Sequence, residues 1–339
     1  MSKTPRFDLP LVISMCFLIT LSFFILKSIA PNLFPGYLLL ILLSILAFIL
    51  FSFLDFDILS LFSRHFYIGS ISLLVLTLLA GRITRGVVRW IPLGALTLQA
   101  AEITKPFLLI FFANNFFRKY TIPLMIIPLV LILVQPSFGV TFLLAIGFLG
   151  IFLALSSNKK HFLYLGIGLL VLLPLVFYLL APYQKSRILS FLKPSLDPQG
   201  AGYNSIQSVI SVGSGGSWGR GLGKGIQTQL SFLPEKQTDF VFAAISEELG
   251  FVGSVLTISA IFLILWRLTV FMNQAKSPEA RAYLSGLFAT ILAQVVIHVG
   301  MNLGILPITG IPFPLVSAGG SSLLATMIGL GIAQGTRKR

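Results

Sequence analysis

Ten mostly apolar runs follow one another along this chain, at about 9–30, 36–54, 66–81, 97–115, 121–134, 138–155, 162–180, 241–266, 283–303 and 319–335. No other feature narrows the fold as much. An apolar run near ~20 residues can cross a bilayer as a helix, because a helix satisfies its own backbone polar groups in hydrocarbon. The composition agrees: 56% of residues are hydrophobic and 10% charged, which excludes an ordinary soluble domain. The expected fold is an all-α polytopic membrane protein. It has about ten transmembrane helices in one integral-membrane domain over 1–339, with a large extracellular loop region, 181–240, between helices seven and eight. A single cysteine, Cys16, rules out an intrachain disulfide. Residues 1–10 carry no Ala-x-Ala-like cleavage signal, so the first run is expected to stay as an anchor.

The net charge of +14 would suggest nucleic acid in a soluble chain, but the placement of the charges argues otherwise. With ten spans both termini share a side. That side carries thirteen of the 24 Lys and Arg, in short segments from Lys3 to Arg339. The opposite short loops carry only Arg82, Arg85 and Arg89. By the positive-inside rule both termini are cytoplasmic and 181–240 is external. The basic residues are scattered and form no stripe, so no nucleic-acid partner is expected. Membrane lipids are.

Charges that break this pattern are the candidates for function. Glu102 and Lys105 stand three apart inside the fourth span, on one helix face, with Gln99 a turn earlier. A charge in a span costs roughly 2.5–3.5 kcal/mol on insertion scales, so it should face a partner or a wet cavity. The pair is either a lock on helix packing or part of a site. Arg85 and Arg89, a turn apart if helical, offer planar forks suited to phosphate oxygens. The plainer alternative is an interfacial anchor beside Trp90.

Four of the ten Asp and Glu fall in "LPEKQTDFVFAAISEELG", residues 233–250, at the mouth of the eighth span. Asp239 is either an N-cap or a catalytic acid at the external boundary. On a straight helix Glu247 lies eight residues, about 12 Å, further on, and Glu248 faces nearly the opposite way, so the acids form no tight cluster. Upstream, seven glycines in 213–225 match neither a dinucleotide-binding nor a Walker pattern. This segment is a mobile loop over a substrate or a flexible linker. Gln294, His298 and Asn302 form a polar stripe expected to bond between helices. With three histidines in the chain, a His-based metal site is not expected.

Four ordered blocks then carry a resemblance: "RWIPLGALTLQAAEITK", "QPSFGV", "GSGGSWGRGLGKGIQTQLSFLPEKQTDFVFAAISEELGFVG" and "NLGILPITGIPFPLVSAGGSS". They resemble the SEDS proteins, the RodA/FtsW/SpoVE group of cell-wall synthases, over nearly the whole chain from Arg85 onward. The resemblance implies an inverting peptidoglycan glycosyltransferase that polymerises lipid II at the outer face of the bacterial cytoplasmic membrane, for elongation or division. It implies a class B penicillin-binding protein as partner. The Thr-Asp-Phe motif maps its essential acid onto Asp239, and a further motif maps onto Gln99, Glu102 and Lys105. Arg85, Arg89 and Lys105 become candidates to bind the pyrophosphate, with a divalent cation, Mg or Mn, able to assist. Three departures from the family pattern stand out: Ser137 where Asp is usual, Gln237 where His is frequent, and Ala100-Ala101 where Pro-Ser is usual. A lipid II flippase and a non-catalytic scaffold are the alternatives.

Overall fold

The computed structural model describes residues 7–84, 87–93, 96–116, 118, 120–156, 185, 191 and 200–337. Long helices dominate, each seeded by an apolar run and ended by a break the sequence supplies. Helix α1 (Leu9–Ile29) starts where the Asp8 side chain accepts from the Leu11 N–H at 3.2 Å, with Pro10 in its first turn. A short 3-10 turn at Pro31–Leu33 leads into α2 (Phe34–Ser52). The short α3 (Phe56–Leu61) and α4 (Ser63–Ala80) follow. After a small sheet come α5 (Ala100–Asn115), α6 (Thr121–Val134) and α7 (Phe138–Leu155). The later part contains α8 (Ala201–Ser214), the single turn α9 (Ile226–Gln229), α10 (Val241–Gln274), α11 (Pro278–Asn302) and α12 (Gly320–Gly335).

Nine of the ten expected spans fall on described residues, and each coincides with a helix. The seventh, 162–180, lies outside them, as does most of 181–199. Six helices among the described residues are long and apolar enough to cross a membrane. Close helix contacts use small residues, as expected where apolar lipid gives helices no hydrophobic reason to associate. At Gly150 in α7, an added Cβ would sit 2.6 Å from the Ser285 carbonyl oxygen of α11.

The fold is not purely helical. Strands β1 (Arg82–Thr84), β2 (Val87–Leu93) and β3 (Leu96–Leu98) form an antiparallel sheet in the order β1-β2-β3. Ile91 pairs with Leu98 and Leu93 with Leu96. The composition of this stretch accounts for the difference. Val87, Val88 and Ile91 are β-branched and prefer a pleat, and Pro92 would break a helix. The helix of the fourth expected span, α5, therefore starts at Ala100, not 97. Gln99 is an extended N-cap (φ −98°, ψ 106°) and not a helical neighbour of Glu102. Arg89 lies in a strand, so a one-turn helical spacing from Arg85 does not apply.

Ion pairs and contacts give the bundle its two faces. Asp8, buried at the start of α1, receives Arg267 of α10 at 2.6 Å and Arg337 beyond α12 at 3.2 Å. At the other end of α1, the Ser28 hydroxyl donates to Glu248 at 2.8 Å. The part of α10 after residue 250 thus runs antiparallel to α1. Helix α11 returns from the Asp8 face, which brings Asn302, its last residue, to the face opposite Asp8 and Arg337. Segment 239–250 crosses that far face, from the end of α11 to the end of α1.

Candidate active site

Asp239 sits at the beginning of this crossing segment, half-buried, in a turn that the Glu235 carbonyl closes. That oxygen accepts from the Thr238 and Asp239 N–H groups at 3.0 Å and from Phe240 at 3.3 Å. Phe240 occupies the N-cap position of α10, with no side-chain cap of its own. Neither Thr238 nor Asp239 takes the N-cap position that the sequence left open to them.

Two distant segments grip the turn. From loop 303–319, the Ser317 hydroxyl donates to the Thr238 carbonyl at 2.7 Å, and the Ala318 N–H to the Gln237 carbonyl at 2.8 Å. From α11, the Asn302 amide donates to the Asp239 carbonyl at 3.0 Å, while its oxygen accepts from the Ala243 N–H at 2.9 Å. The loop is itself anchored. Ser22 of α1 donates to the Val316 carbonyl at 2.6 Å, and the Ser22 and Tyr37 hydroxyls are 2.8 Å apart. The blocks around Asp239 and residues 302–322 are therefore one structural unit.

Glu102 and Lys105 form a buried ion pair of 2.8 Å in the first two turns of α5. Lys105 also lines a small cavity with Thr290 and Gln294 of α11 and Thr326 of α12. Gln99 joins three elements here: its N–H donates to the Ser321 hydroxyl at 2.8 Å and its side chain to Ser137 at 3.0 Å. Ser137 thus contacts Gln99. Half-buried Arg89 sits two residues from Ile91, the strand partner of Leu98, and so belongs to the sheet that leads into Gln99. Arg85 lies outside the described residues.

The polar stripe of α11 links the two parts. Gln294, beside the Lys105 cavity, donates to the Pro312 carbonyl at 2.7 Å. His298 bonds the Ile311 carbonyl through Nδ1 at 2.7 Å, and Asn302 holds Asp239. The expected bonds between helices are present, from Gln294 to Ser322 of α12 at 3.3 Å and from the Ala243 N–H of α10 to Asn302 at 2.9 Å, and loop carbonyls join them as further partners. The residues touching Lys105's cavity and Asp239 are eight positions apart, about 12 Å. The periodicity of the stripe was legible in the sequence; its partners were not.

The glycine-rich segment is bonded along its length to a break in α10. Helix α10 breaks at Gly250 (φ 69°, ψ −163°), a left-handed conformation that favours glycine. The break frees backbone groups, and 213–225 takes them up. Arg220 and Gly221 N–H groups donate to the Glu247 and Glu248 carbonyls at 2.9 and 3.0 Å. In return Phe251 and Val252 donate to Gly216 and Ser217 at 2.9 and 3.1 Å. A Cβ at Gly250 would lie 2.2 Å from the Gly219 nitrogen.

The two glutamates serve the same junction. Glu247, fully buried, accepts from the Gln227 and Thr228 N–H groups at 2.8 and 3.0 Å and so caps α9. Glu248 accepts from Ser28 at 2.8 Å and Gln229 at 3.0 Å. Lys236 donates to the Thr228 carbonyl. Burial holds its ammonium below the usual lysine range, with Glu248 and Glu247 opposing that shift. Among the described residues no group of three His, Cys, Asp or Glu side chains stands close enough to hold a metal ion.

Comparisons with known proteins converge on one group. The FtsW/RodA/SpoVE family model, described as a cell cycle protein, matches residues 6–337. The chain is 37% identical over 282 residues to the peptidoglycan glycosyltransferase MrdB of Escherichia coli K12, covering 79% of this chain and 75% of that protein. It is 34% identical over 286 residues to a probable peptidoglycan glycosyltransferase FtsW of Aliivibrio salmonicida, covering 80% and 71%. A chain solved in work on the structural coordination of polymerization and crosslinking by a peptidoglycan synthase complex superposes with TM-score 0.83. The two are 31% identical over 96% of each. The crystal structure of Thermus thermophilus RodA superposes with TM-score 0.73 at 30% identity, covering 97% of this chain and 96% of the other.

Proposed function

The chain belongs to the FtsW/RodA/SpoVE family, and on that premise we propose that Asp239 is the general base with which it polymerises lipid II. The protein is a peptidoglycan glycosyltransferase that serves cell shape or division. In the proposed step Asp239 takes the proton of the acceptor 4-hydroxyl. The freed oxygen attacks the anomeric carbon of the donor, and the bond from that carbon to the pyrophosphate oxygen breaks. The electron pair leaves with the undecaprenyl pyrophosphate. The donor linkage is α and the product β, so one displacement with inversion suffices and no covalent carboxylate is required.

Cations are needed where the pyrophosphate charge develops, and Lys105, Arg89 and Arg85 are the proposed sources. Glu102 orients Lys105, and Gln99 joins the same cluster. A divalent cation bound to the pyrophosphate would supply further charge neutralisation. Ten crossings, cytoplasmic termini and an external 181–240 complete the reading. Asp239 then faces the outer leaflet, where lipid II is consumed and a class B penicillin-binding protein crosslinks the product.

One observation carries the assignment: Asp239 is a half-buried acid on the face opposite Asp8 and Arg337, in a turn whose backbone α11 and loop 303–319 hold. Polymerisation of lipid II by purified Asp239→Asn protein tests it. Loss of polymer with an intact fold is expected. Wild-type polymer from this variant would remove Asp239 from the base role, and transbilayer movement of lipid II without polymer would favour a flippase.

A further inference from the structure

The candidate base depends on a side chain 63 residues away in sequence. Asn302 is fully buried at the last turn of α11. Its Nδ2 donates to the Asp239 carbonyl at 3.0 Å and to the His298 carbonyl at 2.7 Å. Its Oδ1 accepts from the Ala243 N–H at 2.9 Å. The first N–H groups of any helix lack intrahelical acceptors. In α10 the N-cap residue is Phe240, whose side chain has no acceptor, and Ala243 is the third residue beyond it. That N–H is one a Ser, Thr, Asp or Asn at the N-cap would ordinarily take. Asn302 supplies from another helix the cap that α10 lacks, and the same amide grips the residue just before the cap.

We infer that Asn302 is a positioning residue for Asp239: one amide fixes the 239 backbone relative to the start of α10 and so sets where the carboxylate meets the acceptor. The inference rests on the reading of Asp239 as general base. Its chemistry is specific to an amide, which offers one acceptor and two donors in one plane. Alanine removes all of them. Aspartate keeps the acceptor for Ala243 but turns a negative charge towards two carbonyl oxygens. That charge also raises the pKa of a neighbouring acid.

The experiment compares lipid II polymerisation by purified full-length wild type, Asn302→Ala, Asn302→Asp, Asp239→Asn and Ser285→Ala. It measures kcat and KM across about pH 5 to 9, together with unfolding temperature in the same detergent. Rates are taken where each variant remains folded. For Asn302→Ala, kcat should fall about 10- to 100-fold with KM changed less than about threefold, as for a misplaced catalytic group. For Asn302→Asp the acid limb of the kcat profile should move to higher pH. Ser285→Ala, on the same helix as Asn302, loses only the hydroxyl's bond to the Gly150 carbonyl of α7 and should lower the unfolding temperature while leaving kcat and the pH profile in place. The inference is overturned if Asn302→Ala lowers the unfolding temperature yet keeps wild-type kcat and Asn302→Asp keeps the wild-type acid limb. An inactive Asp239→Asn beside that result leaves the base reading standing. An active Asp239→Asn overturns both.

Discussion

Asp239 and Glu247 lie eight residues apart on one segment and differ in how deeply they are buried. Glu247 is fully buried, and its two carboxylate oxygens are engaged by backbone N–H groups of α9. Asp239 is half-buried, in a turn whose carbonyls are gripped by other elements: its own by Asn302 and its neighbours' by Ser317 and Ala318. A buried charge must be met by local donors, and the donors around Glu247 make it part of the scaffold. An acid fixed by its main chain at a surface can meet a substrate. Type and sequence proximity do not separate these two carboxylates; their burial does.

The sharpest way to break the comparison is to neutralise each acid without changing its shape. Asp239→Asn should lower the rate of lipid II polymerisation by about 10²- to 10⁴-fold, the range for a lost general base, with the unfolding temperature unchanged. Glu247→Gln should do the reverse, retaining most turnover in the folded protein while losing about 1.5–3 kcal/mol of stability, as for hydrogen bonds to a charged group. If Glu247→Gln abolishes turnover in folded protein, the division between the two acids fails.

The Glu102–Lys105 pair extends the comparison to a buried ion pair beside a cavity. Removing one partner, as in Lys105→Met, should destabilise by about 3–5 kcal/mol because it strands a buried charge. The double variant Glu102→Leu with Lys105→Met should recover much of that stability. If the recovered protein polymerises lipid II at the wild-type rate, the pair only packs helices. Lost turnover in a stable double variant is the outcome expected for a pyrophosphate site.

Gly250→Ala tests the junction at which Glu247 works. A Cβ there meets the Gly219 nitrogen and the residue keeps a positive φ, so a loss of about 1–3 kcal/mol or more is expected in thermal unfolding. Ser28→Ala removes one of the donors to Glu248 and should cost only about 1 kcal/mol. Limited proteolysis of 213–225 should rank the two variants in that order.

Residues 82–99 show where sequence reading stops. The apolar run from 97 looked like the start of a helix. The Val/Ile-rich stretch before it pairs as a sheet that absorbs Leu96–Leu98, and this moves Gln99 out of the helix and onto Ser321 and Ser137. Similarly, seven glycines in 213–225 announced freedom of the backbone. They did not announce that a broken helix elsewhere would consume that segment's hydrogen-bonding groups.

Hydropathy period and charge placement needed no tertiary information to specify membrane helices, since a backbone in hydrocarbon must satisfy its own polar groups. The ordered motifs likewise carried the family and pointed to Asp239. Only the tertiary structure decided that Glu247 and Glu248 are scaffold, that Gly250 breaks α10, and that Asn302 and Ser317 hold the turn at Asp239. Those assignments rest on hydrogen bonds between groups 19 to 220 residues apart. Helical periodicity reports only which face a residue occupies. Which donor waits on that face is settled when the helices pack.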